Sequence, residues 1–123
     1  MSDESFDGFD MKAGAGPLPG IYTGKFLGVK KTEPGEYGVG ARFEWEIVGG
    51  SPSEIGKVAS RTGKPEATPN NVTGRFVAAL IGPVPVGQRA SLASAIGKSY
   101  AIVVEKSPKS ENTRVVSVMP AST

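Results

Sequence analysis

Residues 40–48 read GARFEWEIV. Ala41, Phe43, Trp45 and Ile47 fall on one side of an extended chain and Arg42, Glu44 and Glu46 on the other, because successive strand side chains point to opposite faces. This alternation predicts a half-buried strand, with one face in the core and one in water. Trp45 shares its face with Phe43 and Ile47, so it is expected inside and not as an exposed stacking platform.

The flanking segments carry compatible signals. Upstream, GIYTGKFLGVKK (20–31) offers Ile21, Tyr22, Phe26, Leu27 and Val29 for a first strand, with Gly24 and Gly28 marking a bulge or strong coiling. Downstream, GGSPSEIGK is a turn by composition and KVASRT (57–62) a short third strand. In NNVTGRFVAALIG (70–82), Val72, Phe76, Ala79 and Leu80 recur with helical spacing. Asn70 or Asn71 is the expected N-cap and Gly82 the stop of this short helix, which Gly74 weakens. The prolines of GPVPVG forbid its continuation, and SLASAIG predicts one further helical turn. SYAIVVE (99–105) and TRVVSVM (113–119) are β-branched strands joined by the turn KSPKSEN.

Three strands, a helix and two more strands is the element order of the OB-fold, a mainly β, five-stranded barrel with a helical insert between strands 3 and 4. The expected domain spans residues 19–120. Residues 1–18 are acidic and glycine-rich without apolar periodicity, and are expected to form a flexible tail.

Composition narrows the chemistry. A chain of 123 residues is one domain's worth, and its 17 glycines and 10 prolines disfavour long helices. With neither cysteine nor histidine, disulfides, zinc-thiolate sites and the commonest general base are all missing, so no enzyme and no cofactor is expected. No apolar run is long enough to span a membrane and no signal-peptide pattern opens the chain, which predicts a cytoplasmic protein. Charge is uneven: residues 1–10 carry four acids and no base, whereas residues 11–123 carry 14 bases and 8 acids. A basic body favours a polyanionic partner, since each cation that neutralises a phosphate releases counterions.

The run LPGIYTGKFLGVKK, followed by ARFEWEIVGG, a Gly-Lys step, a helix ending near ALIG, IGKSYAIVVE and NTRVVSVMP, resembles phage and prophage proteins that bind single-stranded DNA with an OB-fold. The likeness covers about residues 18–120. It implies a replication or recombination accessory protein that protects single strands, and it transfers no catalytic residue.

Single-strand binders combine a basic groove with aromatic faces on which bases stack. In the OB architecture the ligand surface is the face of strands 2 and 3, flanked by the 1–2 and 4–5 loops. Here Arg42, Lys57, Arg61 and Lys64 fall on or beside those strands. Lys30 and Lys31 stand in one loop, Lys106 and Lys109 in the other. Tyr37 is the first stacking candidate, because its loop of prolines and glycines offers no core, and Tyr22 the second. Glu44 and Glu46 share the outer face with Arg42, which requires either cross-strand bases to neutralise them or a nucleic acid that follows the loops. Read instead as a metal or acid–base pair, they lack the further oxygen ligands that such a site needs.

The Gly-Lys steps do not make a phosphate loop: Gly50 to Gly56 holds one residue too many with Val58 in the hydroxyl position, and IGKSY lacks the first glycine. Phe6 and Phe9 among the N-terminal acids resemble the aromatic-bearing acidic tails through which single-strand binders recruit proteins or shield their own groove. The candidate partners are therefore single-stranded DNA or RNA, a protein reached through this tail, and further copies of the chain in a homo-oligomer. The rival reading is a protein-interaction or virion-associated β module without nucleic-acid binding.

Overall fold

A computed structural model describes residues 16–34 and 38–120. It contains β1 (Gly20–Lys31), β2 (Ala41–Gly49), β3 (Val58–Gly63), α1 (Val72–Ile81), β4 (Ser99–Lys106) and β5 (Thr113–Pro120). All strand pairings are antiparallel, and they form one five-stranded sheet in the order β3-β2-β1-β4-β5. The hydrogen-bonded ladder is open, ending at β3 and β5. These two edges nevertheless approach each other, and Arg61 Nη1 donates to the Val115 carbonyl at 3.1 Å.

β1 pairs with both β2 and β4, so its coiling shapes the whole sheet. Its register against β2 shifts between Thr23 and Gly24 and again between Phe26 and Gly28. Gly24 also permits close packing: a Cβ there would lie 2.9 Å from Ile102 Cδ1 and 3.0 Å from Trp45 Cβ, closer than carbon atoms approach.

The core gathers the inward faces expected from the alternation. Phe26, Phe43, Trp45, Ile47, Ile102, Val104 and Val115 are fully buried. Phe76 of α1 meets the rings of Phe43 and Trp45 edge-on at 5.5 and 5.7 Å, a geometry that suits the aromatic quadrupole. Asn71 Oδ1 caps α1 by accepting the Gly74 N–H at 2.7 Å, and Gly82 ends it. The helix is held from both ends, since Thr73 Oγ1 donates to the Lys64 carbonyl and Tyr100 OH to that of Leu80.

Gly74 has a tertiary reason for being glycine. A Cβ at this position would overlap the Thr68 carbonyl oxygen, so the loop before the helix folds over a site that only a hydrogen can occupy. The turn expected in SLASAIG is a 3-10 turn at Ala93–Ala95, and a second one forms at Pro52–Glu54.

The start of the domain is tied down by a buried acid that the sequence pattern does not reveal. Glu54, 1% exposed, accepts the Leu18 N–H at 2.8 Å, the Ser53 hydroxyl at 2.7 Å and Lys57 Nζ at 2.9 Å. Pro17 is fully buried, and its carbonyl accepts the Thr113 hydroxyl. Residues 17 and 18, within the segment read as a tail, are thus tied to β5 and to the β2–β3 turn. The acidic run with Phe6 and Phe9 lies outside the described residues.

Candidate nucleic-acid interface

Strand alternation sends Arg42, Glu44 and Glu46 to the outer face of β2, where the two acids meet lysines of β1. Lys30 Nζ lies 3.2 Å from Glu44 Oε1 and Lys25 Nζ 3.7 Å from Glu46 Oε1. Cross-strand bases therefore neutralise both carboxylates. Arg42, exposed and opposite Lys30 and Thr62 in the ladders, has no carboxylate partner among the described residues.

The expected contact residues divide into distinct groups. Lys31 and Lys64 are exposed cations without an ion pair among the described residues. Lys30 is engaged by Glu44, and Lys57 is held in the Glu54 cluster. Lys106, at the end of β4, and Lys109, in the β4–β5 turn, are exposed. In register, Lys106 extends past Val104, the partner of Gly20, whereas Lys31 pairs with Ala41. Lys30 and Lys31, expected in a loop, are the last residues of β1, and Lys106 is the last of β4; the two lysine pairs thus lie at opposite ends of β1. Tyr37 lies outside the described residues.

One expectation requires correction. Tyr22 is a core residue, 4% exposed, with its hydroxyl donating to the Leu18 carbonyl at 2.6 Å; it presents no open ring face to a base. Burial, then the nearby Glu54 charge, raises its pKa above the ordinary phenol value. Arg61 lies on β3, as expected, but on the face opposite to Arg42. It sits opposite Phe43 and on the same side of β3 as buried Ala59, pointing into the gap between β3 and β5.

Around Arg61 the structure assembles cations that were not anticipated. Arg75 of α1 and Arg114 of β5 lie near enough that, after burial, their charges push the Arg61 guanidinium pKa down. Arg61 and Arg75 line a cleft of about 160 Å³ with Val72, Phe76, Val116 and Ser117. A second cleft shares Arg75 and adds Lys64, Asn70 and Asn71. Lys64, Arg75, Arg61 and Arg114 thus form a basic seam beside α1. The available signal for Arg61 was its two-residue offset from Ala59; Arg75 and Arg114 carried none, because helix and strand meet there only in three dimensions.

No group of three or more metal-ligating side chains occurs among the described residues. None of their helices is long and apolar enough to cross a membrane. No protein-family model and no curated protein matches this sequence.

Proposed function

We propose that this chain binds single-stranded DNA with little sequence preference, on an OB-fold-like barrel completed by the approach of β3 and β5, as a non-enzymatic accessory of replication or recombination. The division of charge carries the reading. Glu44, Glu46 and Glu54 are each taken up by a lysine, while Lys31, Arg42, Lys64, Arg75 and Arg114 have no carboxylate partner within ion-pair distance among the described residues. Such surplus cations, on β1, β2, α1 and β5 and just after β3, suit a phosphate backbone that follows them. Tyr37, in the loop between β1 and β2, supplies the stacking ring.

The test is anisotropy of a labelled dT oligonucleotide across a salt series, with wild-type protein and the triple variant Lys31→Ala/Arg42→Ala/Lys64→Ala. Binding is expected to weaken with salt, and the variant's log–log slope to flatten by about 0.7 for each phosphate that is no longer neutralised. Absence of binding at micromolar protein and low salt overturns the reading. A dU oligonucleotide with ribose sugars, run in parallel, distinguishes DNA from RNA preference.

One observation favours the rival reading of a protein-interaction module. Ile21 is 71% exposed on the outer face of β1, and Val48 and Val58 are half-exposed on β2 and β3. Under that reading, Ile21→Ser abolishes self-association or partner capture and leaves nucleic-acid affinity untouched.

A further inference from the structure

The three arginines at the β3–β5 gap present an unusual electrostatic arrangement. Like charges drawn together at a partly buried site repel, and folding tolerates this when an opposite charge is bound. Among the described residues none supplies that charge. Glu105 stands opposite Arg114 in the β4–β5 register, yet no ion pair joins them. Arg114 Nε is buried without a hydrogen-bond partner, although a buried donor normally finds an acceptor. Arg61 is fixed in place by the Val115 carbonyl, so the seam has a pre-set member. The cleft beside it, at about 160 Å³, has roughly the volume of five water molecules, room for a tetrahedral oxyanion. Ser117 on its wall adds a hydroxyl donor.

We propose that the cleft between β3, β5 and α1 is a phosphate-binding site in which Arg75 and Ser117 hold one oxyanion beside the anchored Arg61, with Arg114 adding its charge from next to Arg61. Under the single-strand reading above, on which this assignment of the ligand rests, the oxyanion is a backbone phosphodiester, and the site fixes the strand at one point while the outer cations and Tyr37 follow the rest. Arginine suits this task because its planar fork presents two parallel donors to a phosphate.

The experiment is a ¹⁵N-edited NMR titration of the arginine Nε–Hε signals in the full chain, first with inorganic phosphate and then, in a separate sample, with a dT oligonucleotide. Arg75 and Arg114 are expected to shift with both, and Arg89, away from the cleft, to stay in place with phosphate. The double variant Arg75→Gln/Arg114→Gln, its fold checked by the same spectrum, is expected to lose about tenfold or more in dT affinity at low salt, with a flatter salt slope. Phosphate shifts without any dT binding support the oxyanion site and overturn the single-strand reading, assigning the cleft to a small phosphorylated ligand. Binding of dT that leaves the Arg75 and Arg114 signals unmoved and is unaffected by the double variant overturns the site and leaves the single-strand reading standing. Silence of these signals to both ligands overturns the site.

Discussion

Arg61 reaches from β3 to the carbonyl oxygen of Val115 on β5 at 3.1 Å, tying together the two free edges of the sheet. A hydrogen bond from a charged donor contributes about 1.5–3 kcal/mol, and relief of repulsion from Arg75 and Arg114 offsets part of its loss. Arg61→Met, which keeps most of the stem's packing, is therefore expected to lower unfolding free energy by about 1–2 kcal/mol in urea denaturation. An unchanged midpoint would show that the edges hold without this tie.

Glu54 makes stability depend on acid pH. Its carboxyl is held at about 2, first by the Leu18 N–H, then by Lys57 and Ser53, against an ordinary value of 4.5. A depressed folded-state pKa means that the unfolded chain takes up the proton first. The contribution is present above about pH 4.5 and disappears as pH falls towards 2. Glu54→Gln is expected to lower the denaturation midpoint at pH 7, with the gap from wild type closing across that window. A gap of constant size down to pH 2 would refute the assignment.

Gly74→Ala tests propensity against packing. In an exposed helix the change gains about 1 kcal/mol. Here the new methyl collides with the Thr68 backbone, and forced overpacking costs about 1–3 kcal/mol. Net destabilisation in chemical denaturation is the expected result, and a stabilised variant would mean that the loop yields freely.

The two tyrosines should behave in opposite ways. Tyr22→Phe removes a buried hydroxyl whose bond to Leu18 contributes about 1 kcal/mol to stability, and oligonucleotide affinity should be unchanged. Tyr37→Ala should, under the single-strand reading, weaken dT binding by about 1–3 kcal/mol as stacking disappears. Paired thermal melts and anisotropy titrations separate the two roles.

Glu44→Gln should strengthen oligonucleotide binding. The substitution frees Lys30 from its 3.2 Å ion pair with Glu44, whose side chain is 13% exposed, adding a cation to the face beside Arg42, while Gln keeps the shape of the replaced side chain. A steeper salt dependence with a nearly unchanged melting temperature is expected. Unaltered binding would place the nucleic acid away from the outer face of β2.

Elements set by local periodicity were readable from the chain alone. The two-residue alternation in 41–47 identified the buried face of β2, including Trp45. Asn71 and Gly82 bounded α1, and Gly24 and Gly28 marked the shifts in β1. Each depends on backbone geometry and on the facing of neighbouring side chains, which are local properties. Meetings between residues far apart in sequence were not readable. Glu54 looked like one more polar turn residue until Leu18, 36 positions away, proved to be its partner. Tyr22 is an exception to this: it falls on the buried side of β1 with Gly24 and Phe26 by the same two-residue alternation, a local signal that the strand's two glycines obscured. Arg61 met Val115 across 54 positions, and Arg75 and Arg114 joined it from a helix and another strand. Charge count alone gave an excess of bases over residues 11–123; where those cations concentrate depended on the chain bringing β3, α1 and β5 together, because electrostatic fields follow distance in space and not separation along the sequence.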